Sequence, residues 1–337
     1  MSPYIPHNYS NSEIDRAVKE LLNKNISQAD FQKYVRIFDE WRSSYAYPLL
    51  SMRIYMREKA LKIEPSSIVS QRLKRKESIF NKIERMNSMR ASRMQDIGGC
   101  RVVFKNIDSV YKLQDVLKKA KFKHTLQKQT DYIVNPKDSG YRGIHLIYKY
   151  GGDKFTGNPV LIEIQIRTHL QHLWATSVEA MGTFTKTPLK SSRGSEEWLR
   201  FFQLASSLFA IKEKQPIIRN IPQERDVIVE EIRLLIEQYH LFDQLNAYNV
   251  AAKHISKSEG YYYVLVLKYE ERTVSVTPFK KAQINEATEM YNNYENSEPD
   301  NNVVMVSVDS VDALKKAYPN YFMNTKEFVS TLSELIK

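Results

Sequence analysis

Short apolar runs alternate with amphipathic ones between residues 96 and 181, and this alternation limits the fold more than any other feature of the chain. Cys100-Arg101-Val102-Val103-Phe104, entered through Gly98-Gly99, reads as a strand. Ser109–Lys121 reads as an amphipathic helix with Val110, Leu113, Val116 and Leu117 on one face. Asp131–Gly140 is a polar loop shaped by Pro136 and Gly140. Tyr141–Tyr150 and Val160–Ile166 read as strands, the second leading directly into a helix over His169–Met181. Strands interleaved with helices predict an α/β (α+β) architecture, a mixed sheet flanked by helices.

The remainder is read the same way. Residues 12–46 are mostly helical, with Ile14, Val18, Leu21 and Leu22 at helix spacing and Ser12 and Asp15 placed as a capping box. Pro48–Ile63 is a second packed helix. Arg72–Arg93 reads as a loop entering a helix near Ser78, and 196–215 and 222–256 as further helical stretches. Gly260 breaks the pattern. Tyr261–Leu267 and Thr273–Val276 form an expected hairpin, followed by a helix over Ala282–Asn293, a strand over Val303–Val308, and helices over Ser310–Ala317 and Thr325–Ile336. That order predicts a small α+β domain of its own. The expected division is 1–220, connecting helices over 221–258, and a C-terminal domain over 259–337.

With 337 residues, 42% of them hydrophobic and 26% charged, the chain has the composition of a soluble globular protein of about two domains. No apolar run approaches the ~20 residues of a membrane span. No signal peptide is expected from the first residues, and the lone Cys100 excludes an intrachain disulfide and a Cys-based zinc cluster, so a cytoplasmic location is expected. The net charge of +11 is uneven: residues 255–337 hold 9 Lys/Arg against 12 Asp/Glu, which leaves +14 on residues 1–254. A basic body suggests a polyanionic ligand, whether nucleotide, nucleic acid or membrane surface.

Three clusters carry candidate chemistry. Arg72–Arg93 holds eight basic and two acidic residues, enough cations for a triphosphate, but it contains no P-loop. Asp96 stands at the entrance of one strand and Glu163 within another. Were those strands neighbours, the two carboxylates could share a Mg²⁺; otherwise each would pair with a nearby arginine. In the third cluster, Tyr141 offers a stacking surface, and Lys137, Arg142 and His145 offer phosphate donors.

Together the clusters resemble the RelA/SpoT-type synthetase domain over roughly residues 40–190. Arg72-x-Lys74-x-x-x-Ser78-x-x-x-Lys82, Asp96-Ile-x-Gly-x-Arg101, Asp131-Tyr-Ile-x-x-Pro-Lys137-x-x-Gly-Tyr141-Arg142-x-x-His145, and Glu163-x-Gln165-x-Arg-Thr followed by Trp174-Ala-x-x-x-Glu occur in the family's order. The resemblance implies a nucleotidyltransferase-like sheet and transfer of pyrophosphate from ATP to a 3′-hydroxyl. It assigns adenine stacking to Arg72 and Arg101, ATP contacts to Lys74, Ser78, Lys82 and Gln165, Mg²⁺ and catalysis to Asp96 and Glu163, and the acceptor to Lys137, Tyr141, Arg142 and His145. Gly143 stands where the family often has Ser. No adjacent His-Asp pair occurs, so the family's hydrolase domain is not expected.

A synthetase followed by a small domain containing Tyr318-x-x-Tyr321 also resembles the CapRel-type fused toxin–antitoxin proteins of phage defence. That likeness implies autoinhibition through Tyr318 and Tyr321, release by a phage structural protein such as a major capsid protein, and a tRNA CCA end as acceptor. The alternative is a small alarmone synthetase using GDP or GTP. No membrane partner is expected.

Overall fold

A computed structural model describes residues 7–337 except 24, 87, 121–122, 152–159, 185–194, 248–250, 256–259, 269–272, 298–301 and 308–324. Tyr318, Tyr321 and the helix expected over Ser310–Ala317 lie outside the described residues. The elements begin with α1 (Asn11–Leu21), α2 (Gln28–Ser43), α3 (Ala46–Ile63), β1 (Ile68–Leu73), α4 (Lys76–Arg85), β2 (Gly98–Phe104) and α5 (Ile107–Lys118). Then come β3 (Thr125–Asp131), β4 (Ile144–Lys149), β5 (Leu161–Thr168), α6 (His169–Phe184), α7 (Glu196–Lys212), α8 (Arg225–Tyr239) and α9 (Leu241–Ala247). The chain continues through β6 (Ala251–Ile255), β7 (Tyr262–Lys268), β8 (Thr273–Phe279), α10 (Ile284–Ser297), β9 (Asn302–Ser307) and α11 (Lys326–Leu335).

The expected α+β architecture is present. All nine described strands join one mixed sheet in the order β3-β4-β5-β2-β1-β9-β7-β8-β6. Its β2–β5 and β6–β8 pairs are parallel and the others antiparallel. Three strands differ from the sequence reading. β1, over residues given no element, ends in the first two residues of what read as a basic loop, because its backbone fills the slot between β2 and β9. β3, Thr-Leu-Gln-Lys-Gln-Thr-Asp, has too little apolar alternation to read as a strand and forms the sheet's outer edge on β4. β6, expected as the end of a helix, pairs with β8. The N-terminal capping box also shifts: Ser10 and Glu13 form it, while Asp15 instead holds Ser92 through its backbone and hydroxyl.

Strand alternation divides the central sheet into two faces. Cys100, Val102, Ile162, Ile164, Ile144 and Leu146 belong to the main core, which packs on α3 and α5 and extends to Tyr262, Val264, Val303 and Tyr291 of the C-terminal segment. A second core joins α6, α7, α8 and α9 to α11, whose Phe328 lies against Phe201, Phe202 and Phe209. Among the described residues the C-terminal segment meets the N-terminal part through β9 on β1, through α10 at Arg42 and Lys76, and through α11 in the helical layer.

Candidate active site

The parallel pairing of β2 with β5 sets Gly99 opposite Glu163 and Arg101 opposite Gln165. Antiparallel pairing of β1 with β2 sets Arg72 opposite Gly99. Paired residues project to one side of a sheet, so Arg72, Arg101, Glu163 and Gln165 share the face opposite the apolar core. Arg72, Asp96, Gly99, Arg101, Glu163 and Gln165 line one cleft there. β2, which Asp96 precedes by two residues, and β5, which carries Glu163, are neighbours, as the metal reading requires. Gly99 forms the floor: a Cβ placed on it would come no nearer than 3.9 Å to any other group, the Glu163 carbonyl.

Neither carboxylate pairs with an arginine among the described contacts. Asp96 accepts from Lys74 Nζ at 2.7 Å and from Lys82 Nζ at 3.0 Å. Burial raises its pKa, but the two ammonium groups outweigh that and bring it to about 2. Burial also lowers the Lys74 pKa, an effect Asp96 opposes. Lys82 lies one turn beyond Ser78 on α4, so both occupy one side of that helix. Glu163 Oε1 lies 2.8 Å from His145 Nδ1, and its Oε2 accepts from Gln165 Nε2 at 2.7 Å. Burial pushes the Glu163 pKa up, and the His145 and Gln165 contacts together more than offset it, leaving the carboxyl below its ordinary value. Arg72 has Glu179 of α6 at 3.6 Å.

Beside Glu163, Tyr132, Tyr141 and His145 form an edge-to-face cluster. Lys137 Nζ lies 4.6 Å from the Tyr132 ring centre and 5.1 Å from that of Tyr141. Both His145 nitrogens are engaged, with Tyr141 and Glu163, rather than facing outward as phosphate donors. Arg142 departs from expectation. It is 3% exposed, donates to Ser206 Oγ at 3.1 Å and to the Ile133 carbonyl at 3.2 Å, and braces the loop against α7 instead of lining the cleft. Burial lowers its pKa to about 10. Gly143, where Ser was noted as the common alternative, has φ +141°, a conformation that a side chain strains.

Sequence reasoning gave no role to Tyr132 or Arg167, although both stood inside quoted motifs. The signal for Arg167 is the two-residue spacing Glu163, Gln165, Arg167, which puts all three on one strand face. Glu295 was missed as well. Its Oε1 accepts from the Lys76 backbone N–H at 2.6 Å at the start of α4, a helix with no side-chain cap of its own. Its Oε2 pairs with buried Arg42 at 2.8 Å.

Known proteins share these motifs. Residues 71–187 match the family described as "Region found in RelA / SpoT proteins". The matched stretch runs from the end of β1 through α6 and contains every cleft-lining residue. GTP pyrophosphokinase YjbM of Bacillus subtilis is 34% identical over 116 residues, covering 34% of this chain and 51% of that protein. GTP pyrophosphokinase YwaC of the same organism is 33% identical over 118 residues, covering 33% and 56%. The chain thus spans about half the length of the curated relatives it matches. Among solved structures, small alarmone synthetase 1 from Bacillus subtilis bound to its product pppGpp aligns at 28% identity and TM-score 0.44, over 50% of this chain and 89% of that one. A GTP pyrophosphokinase family protein from Streptococcus pneumoniae aligns at 26% and 0.45, over 52% and 89%. Among the described residues no helix is long and apolar enough to cross a membrane.

Proposed function

We propose that this chain is a RelA/SpoT-type pyrophosphokinase that moves pyrophosphate from ATP to the 3′-hydroxyl of a guanine nucleotide, GDP or GTP. The carrying observation is that Asp96 and Glu163 line one cleft among cations inside the matched RelA/SpoT region. The similarity to two GTP pyrophosphokinases favours the guanine-nucleotide acceptor over the tRNA end.

Two ionised carboxylates side by side are a donor set that suits Mg²⁺, which prefers oxygen and retains substrate phosphates among its ligands. Asp96 and Glu163 would hold it, and when bound it would neutralise phosphate charge. Arg72 and Arg101 flank the Gly99 floor and would stack on adenine. The space there is about 50 Å³, far too small for a nucleotide, and Lys74 and Lys82 occupy the Asp96 carboxylate. Binding therefore exchanges partners: both lysines leave Asp96 and, with Ser78, take the ATP phosphates. Tyr141 would stack on the acceptor base and Lys137 would hold acceptor phosphate. Glu163 takes the proton of the 3′-hydroxyl as that oxygen bonds to the β-phosphorus, and the bond to the α-phosphate oxygen breaks to release AMP.

Regulation by the C-terminal segment belongs to the same proposal. β9 pairs with β1 at Arg72, and Glu295 caps the helix bearing Ser78 and Lys82, so docking of that segment and the donor side of the cleft are linked. A phage structural protein as releasing partner is implied by the CapRel resemblance alone.

The test supplies the full-length protein with γ-labelled ATP, Mg²⁺, GDP and bulk tRNA together. Label is expected on GDP. Label on tRNA alone would replace the acceptor, and no transfer to either would refute the reading. Asp96→Asn and Glu163→Gln should each lower transfer by at least about 100-fold with the circular dichroism spectrum unchanged.

A further inference from the structure

Arg167 is 2% exposed and closes a ring of hydrogen bonds beside the cleft. Its Nη2 donates to Tyr141 Oη at 2.9 Å and to Gln165 Oε1 at 2.5 Å. From Tyr141 the ring continues to His145 Nε2 at 2.5 Å, and from His145 Nδ1 to Glu163 Oε1 at 2.8 Å. From Gln165 it returns through Nε2 to Glu163 Oε2 at 2.7 Å. We propose that Arg167 is a positioning residue that fixes the direction of both hydrogen-bond arms converging on Glu163, and so holds the base and the Tyr141 platform in one geometry. This rests on the pyrophosphokinase reading above.

The argument uses only donor and acceptor inventory. A guanidinium donates and never accepts. Tyr141 Oη therefore accepts from Arg167 and, opposite a neutral His145, turns its own proton to Nε2. A histidine accepting at Nε2 carries its proton on Nδ1 and donates to Glu163. Gln165 accepts at Oε1, so its amide nitrogen faces Glu163 and donates. Both arms start at a group that can only donate and end at an ionised carboxylate that can only accept, and every member between them does both. Burying a guanidinium is costly, and Nε of Arg167 has no hydrogen-bond partner among the described residues. A cation kept at that cost, with its donors spent on Tyr141 and Gln165, serves the site.

Two measurements on the full-length protein test this. In ¹⁵N-histidine-labelled protein, with the His145 signals identified by their loss in His145→Asn, the neutral ring should carry its proton on Nδ1 and leave Nε2 bare. A neutral ring with its proton on Nε2 would overturn the ring of hydrogen bonds. In the transfer assay Arg167→Met should lower kcat by about 10- to 100-fold while the KM for ATP stays nearly constant, and Arg167→Lys, still a pure donor, should recover part of the loss. In a Tyr141→Phe, Gln165→Leu background, adding Arg167→Met should cost no more than about twofold further, since both arms are already cut. An undiminished loss there would show that Arg167 acts through something else. A wild-type protein that transfers no pyrophosphate would sink the pyrophosphokinase reading and leave the histidine tautomer to decide the ring.

Discussion

Gly98 and Gly99 are adjacent in sequence and have opposite tolerances. A Cβ on Gly98 would lie 2.9 Å from Tyr45 Cδ1 and 3.1 Å from both Ile162 Cδ1 and Leu49 Cγ, so Gly98→Ala should destabilise the fold by about 1–3 kcal/mol in urea titration. A Cβ on Gly99 meets nothing closer than 3.9 Å, but it enters the cleft between Arg72 and Glu163. Gly99→Val should therefore keep the melting temperature within about 4 °C of wild type and abolish binding of ATP analogues, read by calorimetry. Asp96 gives a prediction in pH. Its folded pKa, about 2, lies below the unfolded value of 3.8, so its contribution is present above that unfolded value and fades as pH falls toward 2. The loss amounts to about 2 kcal/mol, and the acid limb of the stability curve should be shallower in Asp96→Asn.

At the scale of elements, α4 depends on a residue 219 positions away. Removing one partner of a buried ion pair strands the other charge, so Glu295→Ala should cost about 3–5 kcal/mol, and Arg42→Met with Glu295→Leu should recover most of it. Hydrogen exchange in the first turn of α4 should rise in the single variant and show the helix uncapped. No sequence pattern announces such a cap, because the spacing that creates it belongs to the tertiary fold. β2, α5, β5 and α6 were legible because each keeps its own period and buries the face that period marks. β1 was not, since its polar middle, Ser70-Gln71-Arg72, runs into a basic stretch and resembles a loop until two neighbouring strands supply hydrogen bonds. Edge strand β3 was too polar, and β6 joins through a partner about 20 residues away. The same limit applies at the site. Asp96 and Glu163 were readable as a pair once their strands were neighbours, whereas Arg142 bore a motif's chemistry yet serves as a brace. Lysines, not arginines, sit on Asp96 because Lys74, just before α4, bonds through its backbone to Ile97 at the entrance to β2, and Lys82, in the second turn of α4, reaches the same carboxylate.

Taken as a whole, the molecule has one sheet running from β3 to β6, with the main core crossing from the N-terminal part into the C-terminal segment. Continuity of that kind predicts a single cooperative transition, with fluorescence of Trp41, Trp174 and Trp198 coinciding with far-ultraviolet circular dichroism during urea unfolding. Two separated transitions would show that the segments melt independently. At the middle of that sheet, Cys100 is 1% exposed, its thiol pushed up to about 12 by burial and its Sγ 3.8 Å from the Leu49 carbonyl. As the sole thiol in the sequence, it makes the native protein silent toward thiol reagents until β2 parts from its neighbours. The rate at which a reagent consumes Cys100 is then a clock for opening of the sheet. A cysteine introduced at the cleft rim can be labelled against almost no background, so the proposed exchange of Lys74 and Lys82 from Asp96 to phosphate can be tested with a dye in the otherwise unaltered chain.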